Sequence, residues 1–289
     1  MTQSYLMFDV LIRRLFPFSE VGPAQCGRSP AAFPVGQSQQ HLPLMDLRDL
    51  LRFSHCGRTV WTAADAASAG PLRCPECGRT PSFPLAEAPV RVRAPVVDGH
   101  RTSCCFLVTS REGADGLSED RDCELHVGIS NSQGVVLSYT ESGVLREQQG
   151  WQQSAAVPLV APGESIPEWD ERLERFAATD SWTPSRFEEQ REFGSCCYGF
   201  ALGFINQLLM SQGKRPISGE NFTRDLVLPR VRAASGYLAV LRHVRRHGYW
   251  ASPIPTSLGI LSVSDPRESV TVATGDVAPF LLTLETGHD

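Results

Sequence analysis

Glu124-Leu125-His126-Val127-Gly128-Ile129-Ser130 reads as a strand with two unlike faces. Successive side chains on a strand point to opposite sides, so Leu125, Val127 and Ile129 share an apolar face while His126, Gly128 and Ser130 share the other. The imidazole therefore stands outside the apolar stripe. Gly128, two residues on, removes a side chain beside it and lets another backbone or a substrate approach. The turn Asn131-Ser132-Gln133-Gly134 returns the chain as Val135 to Thr140. A two- or four-residue loop pairs His126 with Tyr139, a three-residue loop pairs it with Ser138, and either would orient the ring.

Upstream, Val90-Arg91-Val92-Arg93 alternates and Cys105 to Val108 is a short apolar run; downstream, Ala155 to Val160 closes the same sheet. From Ser165 onward the period becomes helical. Ser165 caps a first helix with Pro167 in its opening turn and Trp169, Leu173 and Phe176 at helical spacing. Thr183-Pro184 opens a short one. Ser195 caps the strongest helix of the chain, which Gly213 ends, and Ser218 and Ser235 begin two more, the last stopping at Gly248. Strands first and helices later predict an α+β fold.

The strongest helix opens on Ser195-Cys196-Cys197-Tyr198-Gly199-Phe200. Ala201, Phe204, Ile205 and Leu208 form its inner stripe, and four residues before Ala201 stands Cys197. Cys196 falls about 100° round the helix. A thiol at a helix amino terminus is biased toward thiolate by the dipole and free N–H groups, and a histidine nearby biases it further. The pattern thus predicts Cys197 as nucleophile and His126 as base, with Tyr139, or Ser138 in the other register, as the candidate to orient the ring. Against this stands the common role of a free cysteine on an apolar helix face, which is to fill core.

A second chemistry lies nearer the amino terminus. Cys74-Pro75-Glu76-Cys77-Gly78 is a C-x-x-C knuckle whose turn aims two thiolates at one ion. A tetrahedral site needs two more donors, and upstream stands His55-Cys56-Gly57. These residues predict a structural zinc ion on Cys56, Cys74, Cys77 and His55. No βαβ pattern surrounds the knuckle, which speaks against a thioredoxin-type redox pair. The chain divides accordingly into an extension over 1–51, a zinc-ribbon-like module over 52–85, an α+β domain over 86–251 and a tail over 252–289.

The chain has 289 residues, net charge −5 and nine cysteines, an odd number. A signal peptide is not expected ahead of them: in Tyr5 to Phe18, Asp9 interrupts the apolar run and Arg13-Arg14 lie inside it. That usage predicts a reducing compartment, cytoplasmic or nuclear. No apolar run approaches the length of a membrane span, so integral membrane association is not expected. The acidic balance speaks against nucleic acid as a partner. Between Arg224 and Arg246 six Arg stand against one Asp, yet the interleaved aromatics of a single-strand platform are missing.

Combined, these residues resemble the vertebrate makorin-2 opposite-strand family. The likeness is carried by Phe53-Ser54-His55-Cys56, Cys74-Pro75-Glu76-Cys77, Glu87-Ala88-Pro89-Val90, Leu125-His126-Val127-Gly128-Ile129 with Gly134-Val135-Val136, and Cys197-Tyr198. Ala201-Leu202, Phe204-Ile205-Asn206, Val227, Pro229-Arg230 and His247-Gly248 complete it, over roughly residues 52 to 250. That family brings no established activity. More distantly, His-x-Gly-Ile on a strand ahead of a cysteine helix is similar to the permuted papain-like (NlpC-type) thiol enzymes, among them lecithin:retinol acyltransferase relatives and PPPDE peptidases. This second likeness implies an antiparallel sheet packed on a central helix. It also implies hydrolysis or acyl transfer at a peptide, isopeptide or acyl bond of a protein or small acyl substrate. Cys196 stands where those enzymes often carry Asn, and no third polar member is assigned. The alternative is a fold of that shape without the chemistry, serving with its zinc module as a protein-interaction module.

Overall fold

The computed structural model describes residues 49–67, 71–82, 88–110, 117, 125–160, 168–187 and 195–253. The segment Tyr5 to Phe18, the Ser165 cap and the tail beyond residue 253 lie outside them. The α+β reading holds: two antiparallel sheets share the described helices.

The larger sheet has five strands, β4 (Cys105–Ser110), β5 (Leu125–Ser130), β6 (Val136–Thr140), β7 (Gly143–Glu147) and β8 (Ala155–Pro158), in the order β7-β6-β5-β4-β8. The alternation in Leu125 to Ser130 does what the pattern predicts. Val127 and Ile129 join Phe106, Val108, Leu137, Tyr139, Ala155 and Val157 in a core roofed by helices, while Cys105, Leu107 and Val136 face the other way onto Trp151. Three helices supply most of the roof. Helix α1 (Trp169–Ala177) buries Trp169 and Leu173 as expected, with Ala177 also buried and Phe176 partly buried beside them, and the Trp169 indole donates to the Ser130 carbonyl at 3.2 Å. Helix α2 (Cys197–Ser211) is buried on nearly every side, because α1 and the Trp182 segment pack Phe200 and Phe204 from behind. Its cap is Cys196, in extended conformation, and not Ser195; the cap side chain makes no cap hydrogen bond, and the Cys196 carbonyl accepts the first helical bond from Phe200 N–H at 2.9 Å.

The last helix also differs from expectation. Ser218 does cap a short helix α3 (Gly219–Phe222), accepting from the Asn221 N–H. The chain then passes through a π-turn, Thr223–Val227, directly into helix α4 (Leu228–His247), so Ser235 lies mid-helix. Pro229 accounts for the π-turn: it brings no N–H and its ring crowds the carbonyl one turn back, so the helix widens there. Arg230 donates to the Leu226 carbonyl at 2.9 Å, supplying a proton to the loosened turn. Gly248, at φ 84°, ends α4 as predicted.

The smaller sheet draws its strands from three separate stretches of the chain. Its centre is the hairpin of β1 (Leu50–His55) and β2 (Arg58–Ala63), but its edges are β3 (Val90–Val92) and β9 (Tyr249–Pro253), in the order β3-β1-β2-β9. Strands that follow residue 85, one near at hand and one far along the chain, thus pair with the hairpin that precedes it. One face of this sheet packs on α4, with Leu50, Trp61 and Val92 against Tyr237, Val240, Leu241 and Val244. Ala234 and Leu238 of the same helix belong to the larger core. The other face, Leu51, Phe53 and Val60, is covered by Leu72 and Cys74.

Candidate metal centre

His55 is the last residue of β1 and falls on the strand face of Leu51 and Phe53, so its ring aims at the segment that covers them. Cys56 and Gly57 form the two-residue turn that joins His55 to its partner Arg58. Both have positive φ, 55° and 70°, the combination a type I′ hairpin turn uses. A non-glycine residue in that region is held there at a cost of roughly 1–2 kcal/mol. Here the conformation carries Cys56 Sγ to 3.0 Å from His55 Nδ1.

The second pair arrives on the knuckle. Cys74 N–H donates to the Arg79 carbonyl at 2.9 Å and Gly78 N–H to the Cys74 carbonyl at 2.7 Å, closing a tight turn that needs the positive φ of Gly78. Cys74 is fully buried on the small sheet against Leu51, Phe53 and Val60. Cys77 is exposed, its sulfur 3.6 Å from His55 Nδ1. The donor atoms of His55, Cys56, Cys74 and Cys77 all lie within 4.8 Å of one another, and this set could hold a metal ion. Sequence spacing thus named four residues that the fold assembles from a hairpin and a knuckle. Without a cation the two exposed thiols, Cys56 and Cys77, shift in opposite directions. Cys56 is pushed up to about 11 by hydrogen bonding to Cys77, while the Arg79 backbone N–H and then Cys56 hold Cys77 below its ordinary value. A bound cation reverses that balance by taking the thiolates as ligands.

The predicted thiol pair has a different outcome. Cys197 opens α2 and, with Cys196, packs against the helix-side core. His126 is 7 % exposed and lies on the opposite face of the sheet, its ring 5.5 Å from Trp151 and tilted by 37°. The sheet itself stands between the base and the nucleophile, so the structure does not bring Cys197 and His126 together. Gly128 does leave room for an approaching group, and that group is Trp151: a Cβ at 128 would meet the indole at 3.0 Å and the Leu137 carbonyl at 2.9 Å. Tyr139 also departs from its expected role. The hairpin pairs Ser130 with Val136 across a five-residue connection, a register that the two- to four-residue loops did not include. Tyr139 falls on the helix side and donates to the Thr183 carbonyl at 2.8 Å. Ser138 does share the His126 face, but it donates to Glu147, which also accepts from the Trp151 indole and fixes that ring. Trp151 is the residue that sequence reasoning passed over; the glycine opposite it was the available signal.

Two further cysteines pack at the large sheet, Cys104 on the helix side and Cys105 beside Trp151. Burial pushes Cys104 up to about 12 and Cys105 to about 11, so both are neutral thiols at physiological pH. Among the described residues no helix is long and apolar enough to cross a membrane.

Over residues 89–244 the chain matches the family described as DUF4796 C-terminal. The MKRN2 opposite strand protein of Homo sapiens is 34 % identical to it over 209 residues, covering 71 % of this chain and 90 % of that protein. No solved structure matches the chain. The four donor residues precede the family match, which begins at 89.

Proposed function

This chain belongs to the family of the MKRN2 opposite strand protein, and from that premise we propose that it is a zinc-stabilised protein-interaction scaffold and not a thiol hydrolase. The observation that carries the reading is the donor set itself. Three cysteines and one histidine within 4.8 Å make a complete tetrahedral shell, and a closed shell is the mark of a structural ion, since a catalytic one keeps a position for water or substrate. The donor chemistry selects the ion: three thiolates and an imidazole suit zinc and disfavour magnesium or calcium, which take oxygen. The separation of Cys197 from His126 by the thickness of the sheet supports the second half of the proposal.

Metal analysis of gently purified full-length protein tests the first half. About one equivalent of zinc is expected, and cobalt exchanged into the site should give the intense visible bands of tetrahedral thiolate coordination; less than about half an equivalent would overturn the reading. An electrophilic thiol probe tests the second. Cys197 in core should label slowly until denaturant is added, and the rate should not change in His126→Ala. Fast labelling of folded protein that is lost in that variant would restore the enzyme.

A further inference from the structure

Strand β9 has few holds of its own. It is five residues long, lies at the sheet edge, pairs among the described residues only with β2 and ends in Pro253. On the face away from α4 its Tyr249 and Ala251 rest against the same cluster that Cys74 completes. The Glu76 side chain, between the two knuckle cysteines, reaches both neighbours of the knuckle: Arg58 of β2 at 3.7 Å and the hydroxyl of Tyr249. The knuckle in turn has little hold on the sheet without its ligands. Among the described residues its two backbone hydrogen bonds, from Cys74 and Gly78, are internal to it. What fixes it over β1, β2 and β9 is the burial of Leu72 and Cys74, the Glu76 contacts and the metal shared with His55 and Cys56.

We propose that the metal centre is a clasp for the carboxy-terminal strand: ion binding seats the knuckle, the knuckle seats Tyr249–Pro253 on β2, and loss of the ion frees that strand and opens the β2 edge. The proposal rests on the zinc reading above and adds regulation to it. A five-residue strand paired on one side only belongs to the least stable class of local structure, so removing its cover is enough to release it. The β2 edge then presents unpaired backbone groups, the template on which an extended segment of another chain adds as a strand. Metal supply would thereby govern when this sheet accepts a partner.

Hydrogen exchange on the full chain, read by mass spectrometry before and after removal of zinc with a chelator, decides the matter. The expected result is exchange at least about tenfold faster over 249–253 and 58–62 in the stripped protein, with β4 and β5 unchanged. A second variant, Glu76→Gln, leaves every donor in place; it should keep one equivalent of zinc and still speed exchange in β9 by several fold. Zinc that binds stoichiometrically while β9 exchanges alike with and without it would overturn the clasp and leave the structural ion standing. Protein that takes up no zinc at all would overturn both.

Discussion

Phe106, Ile129, Tyr139, Phe200 and Phe204 fill the space between the large sheet and its helices, and none is more than 1 % exposed. On the knuckle face of the small sheet the buried apolar groups are Leu51, Phe53 and Val60, with the Cys74 side chain completing them. The first layer is a core in the ordinary sense, held by area removed from water. The second is too thin for that. Three apolar side chains contribute roughly 1.5–3 kcal/mol each, whereas a structural zinc site contributes on the order of 10–16 kcal/mol. On the zinc reading proposed above, ligation takes over the work of packing there.

The contrast breaks most sharply if the ion is removed. A chelator, or Cys74→Ser, should abolish stoichiometric metal binding and strip the small sheet of its knuckle. The near-ultraviolet signal of Trp61 and Trp250, whose rings lie 6.4 Å apart, should collapse while the far-ultraviolet spectrum stays largely native. Phe204→Ala is the converse experiment. It leaves a cavity among Trp169, Phe176 and the large sheet and should cost about 3–5 kcal/mol in urea unfolding, with metal content unchanged. A smaller effect comes from the face of the large sheet away from the helices. Gly128→Ala drives a methyl group to 2.7 Å from Val136 Cγ1, and the overpacking should lower stability by about 1–3 kcal/mol without touching zinc.

The mildest test is pH. Cys104 and Cys105 are held up to about 12 and 11 by burial, against an ordinary value of 9.0. Their raised folded-state values mean that the native protein keeps protons the unfolded chain gives up. The stability they contribute is complete below pH 9 and drains away as pH rises through about 11 and 12. Unfolding free energies measured with zinc held saturating should fall over that window, and Cys105→Ala should flatten the slope.

How much of this was legible depended on the range of the interaction. Strand β5 and the inner stripe of α2 follow from side-chain alternation and helical spacing, which are local. The clustering of His55, Cys56, Cys74 and Cys77 was legible too, because thiolate chemistry restricts which residue types gather at knuckle spacing. What failed was long-range. Nothing within residues 52 to 85 announces that Val90–Val92 and Tyr249–Pro253 flank the hairpin as its edge strands. Likewise, which group fills the space over Gly128 is decided by where Trp151 returns across the sheet, 23 positions later. His126 looked like a base because an imidazole outside an apolar stripe is unusual; an indole against that ring explains it as well.

The π-turn before Pro229 has a consequence for the phase of the whole molecule. Helix α4 is 20 residues long and runs beneath both sheets, meeting the larger core through Ala234 and Leu238 and the smaller through Tyr237, Leu241 and Val244. One extra residue in a turn advances everything downstream by about 100° of azimuth. Thr223–Val227 therefore works as an indexing step. It sets the angle at which the rod leaves the first sheet, and with it the direction in which the stripe for the second sheet faces. Had the helix been regular from Gly219 onward, the two stripes would keep their spacing along the axis and lose their bearing, and the metal hairpin would have no floor to stand on.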